Sequence, residues 1–258
     1  MGNVTGKRSA HQRFPEVIEA AVRVFARDGY RAAHMSDVAR EAGLSEAAVY
    51  RYVDSKEGLF VLAIRHALLL EPLPRADDPA GAFPLAAPSL EEMIKQAREF
   101  VAAEVPFGSL AQALRTADPA DAAGELELIM RELFTLEEQT AQAADMIERS
   151  ARELPALADL LNSGLRRPVL DALTRYLDSR VTAGRLRATP DTAATARLVL
   201  ETLTWFARHR HSDPYGAALG AALAQETAVD ALLHALVPAG DLPAGLNTRA
   251  DRDPVEQK

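Results

Sequence analysis

Apolar residues recur at intervals of three and four along most of this chain, which is the spacing of one α-helix face. Pro15 suits a first helical turn, and Gly29 ends that first segment. Further segments with the same spacing cover residues 35–42, 45–52, 54–70, 89–104, 108–116, 121–150, 155–184, 191–210 and 215–237. No segment alternates convincingly with period two, so the pattern predicts an all-α protein.

The stretch 71–88 interrupts this pattern with five prolines and two aspartates, and we expect it to be a linker. It separates a head of residues 1–70 from a helical body of residues 89–238. The polar residues 239–258 are expected to form a flexible tail. A flexible linker would couple the movements of two domains only weakly, so we also expect the linker to dock against the body.

The composition is that of a globular protein, with 48% hydrophobic and 26% charged residues. The absence of cysteine excludes disulfides and thiolate metal sites. The N-terminus lacks the apolar region of a secretory signal, and no apolar run reaches the roughly 18 residues of a membrane helix. We therefore expect a cytoplasmic protein with no membrane partner.

The charge is distributed unevenly along the chain. The net charge of -8 argues by itself against a nucleic-acid partner. Residues 1–70, however, hold 10 Lys and Arg against 8 Asp and Glu, whereas residues 71–258 hold 19 against 29. Phosphates would therefore repel the acidic body, whereas the charge of the head remains compatible with binding DNA.

The segment 35–54 reads MSDVAREAGLSEAAVYRYVD and meets the requirements of a helix-turn-helix. Ala39 is small where two helices approach, and Gly43 tolerates the positive φ of a tight turn. The pair also needs one shared apolar set, which is supplied by Val38, Ala42, Leu44, Val49 and Tyr52. A helical hairpin with no role in DNA binding satisfies the same pattern and remains an alternative here.

The wider context resembles the N-terminal domain of the TetR (tetracycline-repressor) family, through AAVRVFARDGY, DVAREAGLS, AVYRYV and SKEGLF. The resemblance implies an all-α protein with an N-terminal three-helix helix-turn-helix DNA-binding domain and a larger helical ligand-binding and dimerisation domain. It also implies a homodimeric transcriptional repressor that a small-molecule effector releases from a palindromic DNA operator. A ligand-independent regulator, a helical protein-interaction module and a small-molecule carrier remain alternatives.

The same resemblance assigns a recognition helix to Ser45–Tyr52, which would lie in the major groove. Glu46 would accept a hydrogen bond from a cytosine amine, and the alanines would contact thymine methyl groups. The DNA-binding residues that it implies are Ser45, Glu46, Ala47, Ala48, Tyr50, Arg51 and Lys56. His34, Glu46 and Ala47 depart from the common family pattern, which leaves the operator sequence open. A basic arm ahead of the first helix would comprise Lys7, Arg8, His11 and Arg13.

The body carries the expected dimer interface and ligand pocket. The resemblance implies that the last two long helices form the interface, through the apolar residues Leu198, Val229, Leu232, Leu233 and Leu236. The core of a single copy would use the same pattern, and the need to address a two-fold operator favours the dimer. The bulky residues expected to line a pocket are Met93, Phe100, Met130, Phe134, Met146 and Trp205, although each also suits ordinary core packing. His209 and His211 are spaced wrongly for one helix face, so no metal site is expected. With no catalytic or cofactor motif either, we expect no cofactor and no enzyme.

Overall fold

The structure is a computed structural model that describes residues 10–70, 83–103, 108–116, 119–216 and 218–242. Twelve α-helices follow one another in the described residues: α1 (Ala10–Ala32), α2 (Met35–Glu41), α3 (Glu46–Val49), α4 (Lys56–Ala67), α5 (Leu90–Ala103), α6 (Gly108–Arg115), α7 (Ala122–Gln139), α8 (Ala141–Ser150), α9 (Pro155–Asp159), α10 (Arg167–Thr182), α11 (Thr192–Ala207) and α12 (Ala221–Leu236). The described residues form no strand, and an isolated parallel bridge pairs Val53 with Leu85. The all-α prediction is confirmed.

Two long predicted helices are divided. The segment predicted as one helix over 121–150 is interrupted at Thr140, which separates α7 from α8. The segment predicted over 155–184 contains a π-helical stretch, Leu160–Arg166, between α9 and α10. A Cβ placed on Gly164 of that stretch would lie 3.0 Å from Cγ of Arg98, so this glycine permits a close approach to α5.

The described residues divide into two compact units, one within Met1–Ala103 and Gln139–Arg166 and the other within Glu104–Glu138 and Arg167–Lys258. This division differs from a boundary at the linker, because helices α5, α8 and α9 lie in the first unit. The reason is that α1 has more apolar surface than α2 and α4 cover, and α8 packs along it. The core of this unit includes Phe14, Ile18, Phe25, Phe60, Met146 and Ile147.

The second unit contains α6, α7 and α10–α12, with α11 packed against both α10 and α12. Its core includes Leu126, Phe134, Leu173, Leu203, Val229 and Leu233. Arg180 and Arg210 are almost fully buried in it, and each is paired with a glutamate. Arg180 pairs with Glu125 at 2.8 Å, and Arg210 pairs with Glu138 at 2.7 Å.

None of the helices in the described part of the chain is long and apolar enough to cross a membrane. Residues 71–82 of the linker and 243–258 of the tail lie outside the described residues, as do Lys7 and Arg8 of the basic arm and the side chain of His11. Arg13 of that arm is exposed.

Candidate nucleic-acid interface

The first candidate site is the helix-turn-helix formed by α2 and α3. Gly43 occupies the turn between them with a φ of 65°, the left-handed conformation that favours glycine. The turn is closed by the backbone N–H of Leu44, which donates to the carbonyl of Ala39 at 2.8 Å. The hydroxyl of Ser45 then caps α3 by accepting from the N–H of Ala48 at 3.3 Å.

The inner side of this pair is apolar, as the spacing predicts. Val38, Ala39, Val49 and Tyr52 are buried in the core of the first unit. Ala42 and Leu44 pack against the same core while remaining partly accessible. The core contacts therefore set which face of α3 points outward.

That outward face consists of Glu46, Ala47, Tyr50 and Arg51, all of which are exposed. Ala48 is only 6% exposed, because it faces the core together with Val49. The expectation that Ala48 reads a base edge is therefore not supported. Ser45 is exposed, but its hydroxyl is engaged as the cap of α3.

Lys56, expected to contact a phosphate, is held at the start of α4. Its Nζ donates to the carbonyl of Arg31 at 3.2 Å and lies 4.8 Å from the centroid of the Tyr30 ring. Burial lowers the pKa of Lys56 below that of a free lysine. An ammonium group has three donors, so the bond to Arg31 leaves two for a phosphate. No pattern in the sequence indicated that Tyr30 would support this lysine.

The acidic residues of α2 are paired with arginines. The carboxylate of Asp37 accepts from the backbone N–H of His34 at 3.1 Å and from Arg40 at 2.6 Å, and both bonds lower the pKa of Asp37. Glu41 pairs with Arg23 at 2.8 Å. The bond from His34 shows how α2 begins with a histidine where the family commonly has Thr or Ser. These pairings reduce the repulsion that a phosphate would meet beside α3.

The end of the linker packs on the head. The ring of Phe83 lies 5.2 Å from those of both Phe14 and Tyr52, and the N–H of Leu85 donates to the carbonyl of Tyr52 at 2.8 Å. At this described end the apolar side chains of the linker complete the core under α3, and that core also contains Met93 and Met146 of the predicted body. The expectation that the linker as a whole docks against the body stays a prediction. Sequence reasoning missed Phe83, and its only signal was an aromatic residue within a Pro-rich stretch.

The six predicted pocket residues do not gather in one core. Met93 and Met146 are buried in the core of the first unit, whereas Met130 and Phe134 are buried in the core of the second. Phe100 and Trp205 are exposed. That these residues line one pocket stays a prediction, since residue size alone does not indicate which core a helix packs into.

Four of the five predicted dimer residues also need correction. Val229, Leu232, Leu233 and Leu236 are buried in the core of their own unit, so they are not free to meet a second copy. Leu198 is 59% exposed. The outward sides of α11 and α12 form a second stripe of exposed apolar and small residues, which we call the outer stripe: Ala194, Leu198, Trp205, Leu223, Thr227, Ala231 and Ala235.

His209 and His211 lie in a short 3₁₀ turn after α11. Within the part of the chain that the structure describes, no three His, Asp or Glu side chains come together as a metal site.

Comparison with known proteins agrees with this geometry. Residues 17–63 match the family model described as bacterial regulatory proteins, tetR family. An HTH-type transcriptional regulator of Bacillus subtilis, YuxN, is 28% identical over 100 residues, which are 36% of this chain and 34% of that protein. This chain thus spans about a third of the length of that curated relative.

Solved structures show the same fold. The ketosteroid transcriptional regulator KstR2 of Mycobacterium tuberculosis is 16% identical, with 92% of this chain and 100% of that chain covered and a TM-score of 0.52. AibR in complex with isovaleryl coenzyme A and operator DNA is 15% identical, with 88% and 98% covered and a TM-score of 0.50.

Proposed function

We propose that this chain is a transcriptional regulator of the TetR family, a homodimeric repressor that leaves its DNA operator when a small-molecule effector binds. The observation that carries this proposal is the exposed face of α3, with Glu46, Ala47, Tyr50 and Arg51 directed away from the core. A face held by its inner contacts, with polar and charged groups outward, suits insertion into a major groove.

Each residue of this face suits a different contact. Glu46 accepts a hydrogen bond and so matches the amine of cytosine, while the methyl group of Ala47 matches that of thymine. Arg51 and Lys56 carry positive charge and suit phosphates on either side of the groove. Tyr50 offers a hydroxyl to phosphate or base. Base selection then rests on Glu46 and Ala47, and most of the affinity rests on the cations.

We assign dimerisation to the outer stripe of α11 and α12. Leu198, Trp205 and Leu223 are large apolar side chains that a single copy leaves exposed. The alanines between them allow a second pair of helices to approach closely. To bind one palindromic operator, such a dimer needs its two recognition helices about 34–36 Å apart.

Control by an effector needs a link between the body and the head. Helix α8 supplies one, because it continues from α7 and packs against α1 and α4 in the first unit. An effector among the helices that follow the linker would shift α8 and change the separation of the two heads. A coupling of roughly 1–3 kcal/mol lowers operator affinity 5- to 150-fold. AibR, of the same fold, has been crystallised with both an acyl coenzyme A and operator DNA, which supports a site for each.

The test is to select bound duplexes from a random DNA pool and then to screen metabolites for release. We expect binding that weakens steeply with salt, because phosphate contacts release counterions. Arg51→Ala should weaken binding and reduce the salt slope. Arg167→Ala, which alters an exposed arginine of α10, is the matched control and should change neither.

Binding that is absent at low salt would contradict the proposal and favour a protein-interaction module. Tight, selective binding that no metabolite relieves would instead favour a ligand-independent regulator.

A further inference from the structure

The segment 83–87 lies where the first turns of α1 meet the end of the recognition helix. Phe83 makes a T-shaped contact with Tyr52, at an interplanar angle of 81°, and a tilted contact with Phe14 at 54°. Leu85 is buried in the same core and pairs with Val53 in a parallel bridge. Ala87 lies within van der Waals range of Gly58 at the start of α4, since a Cβ placed on that glycine would be 3.4 Å away.

The recognition helix needs such support because it is very short. Helix α3 has four residues, and an isolated helix of that length is unstable in water. Its turns continue to Tyr52, whose N–H donates to the carbonyl of Val49 at 2.9 Å. The Tyr52 carbonyl then has no partner within α3, and Leu85 supplies one from outside at 2.8 Å.

The two ends of α3 are therefore fixed by different means. Ser45 fixes the beginning from within the helix-turn-helix, whereas Phe83 and Leu85 fix the end from a segment more than 30 residues away in sequence. A small rotation of α3 about its Ser45 end would move Tyr50 and Arg51 relative to a base pair. The contact at Tyr52 opposes that rotation.

We propose that residues 83–87 form a strap that holds the recognition helix in its DNA-reading orientation, with Phe83 and Leu85 as its positioning residues. This inference rests on the proposed function, since it concerns how α3 meets a duplex. Neither residue touches DNA. Their effect is on selectivity, because base contacts depend on the orientation of α3 more than phosphate contacts from flexible cationic side chains do.

The test compares full-length variants on two probes, the duplex selected by the wild type and a duplex of random sequence. Phe83→Ala should weaken binding to the selected duplex about tenfold, equivalent to about 1.4 kcal/mol, and leave binding to the random duplex within about twofold. Phe83→Tyr keeps the ring and should restore selectivity. Ala86→Ser, at an exposed position within the strap, is the matched control and should behave as the wild type.

Hydrogen exchange of the free protein gives a second measurement. In Phe83→Ala, the amides of Val49–Val53 should exchange faster, while those of α12 keep the wild-type rate. If Phe83→Ala does not fold, Leu85→Ala takes its place in both measurements. Equal weakening on the two probes, unchanged selectivity, or unchanged exchange at Val49–Val53 overturns the strap.

Failure of the proposed function looks different. The wild type would then bind no duplex in a salt-dependent manner. In that case hydrogen exchange alone tests the strap: faster exchange of Val49–Val53 in Phe83→Ala supports it, and unchanged exchange overturns it.

Discussion

The buried hydroxyl of Ser150 accepts a hydrogen bond from the backbone N–H of Tyr30 at 2.9 Å, although the two residues are 120 positions apart. Gly29, just before Tyr30, has a φ of 75° and a ψ of 175°, so α1 is interrupted there and the N–H of Tyr30 turns away from its own helix. A Cβ on Gly29 would lie 3.4 Å from the Cβ of Arg149. The end of α8 therefore packs closely against the end of α1, through this hydrogen bond and the approach of Arg149 to Gly29.

Replacing Ser150 by alanine should leave the N–H of Tyr30 buried without a partner. The expected loss in the free energy of unfolding is about 1–3 kcal/mol, measured by urea denaturation. Ser212→Ala, at an exposed position, should change it by less than about 0.5 kcal/mol. Equal stabilities for the two variants would show that the N–H of Tyr30 finds another acceptor.

Arg180 and Glu125 form a buried ion pair in the second unit, and replacing only one of the two residues should destabilise the protein. The guanidinium makes two contacts with the carboxylate, at 2.8 and 3.1 Å, and also donates to the carbonyl of Ala113 at 2.7 Å. Glu125→Gln leaves the buried cation unpaired, and we expect a loss of about 3–5 kcal/mol in unfolding free energy.

The double variant Arg180→Met with Glu125→Leu removes both charges and should recover most of that loss. A double variant as unstable as Glu125→Gln would show that the bond to Ala113, and not the ion pair, holds this region together.

Tyr176 should make stability sensitive to alkaline pH. Burial is the main cause that raises the pKa of Tyr176 far above its ordinary value of 10.0, so the folded state favours the neutral phenol. The resulting stability is fully present below about pH 10 and is lost as the pH rises above it, since the unfolded chain releases the proton first. Alkaline unfolding followed by absorbance near 295 nm measures this.

Tyr176→Phe should flatten that alkaline dependence. It should change stability little at neutral pH, because the hydroxyl of Tyr176 is buried without a hydrogen-bond partner in the described structure. A steep alkaline loss that persists in Tyr176→Phe would assign the pH dependence to another group.

Leu69 follows α4 with a φ of 59°, the left-handed region that leucine rarely adopts. Leu69→Gly removes this strain at an exposed position and should raise the unfolding temperature, by the equivalent of up to about 1 kcal/mol. Leu69→Ala removes most of the side chain but keeps the Cβ that makes a positive φ unfavourable, so it should give no gain in unfolding temperature. Equal gains for both would mean that the exposed side chain, and not the backbone, was the cause.

Features that depend on local sequence could be predicted, and features set by tertiary packing could not. Gly43 and Ser45 define the turn and the cap of α3 by their own chemistry, so the helix-turn-helix was readable from the sequence. The break at Thr140 has no Gly or Pro to mark it, because it arises where α7 and α8 serve different cores. The packing of Phe83 on Tyr52 is likewise a contact distant in sequence, inside a stretch whose composition indicates a linker.

Helix α12 shows the same difficulty for the dimer. It has two apolar sides, one with Val229 and Leu233 and the other with Leu223 and Ala231, and periodicity does not distinguish a subunit core from a subunit interface. Burial does distinguish them, since the first side is covered within the chain. The two sides should therefore respond differently to substitution.

Leu198→Glu combined with Leu223→Glu should convert the proposed dimer to a monomer without unfolding the chain, because both side chains are more than half exposed in a single copy and would be buried against a second copy in the proposed dimer. Sedimentation velocity measures the change in mass, and far-UV circular dichroism should remain helical. Operator affinity should fall as well, since one head then binds each half-site alone. Leu128→Glu introduces the same charge at an equally exposed leucine of α7, outside the outer stripe, and should leave the mass unchanged.

Val229→Ala, on the buried side of α12, should do the opposite. It should lower the unfolding free energy by about 1–3 kcal/mol through a core cavity while the subunits stay associated. A double variant that stays dimeric would move the interface away from α11 and α12.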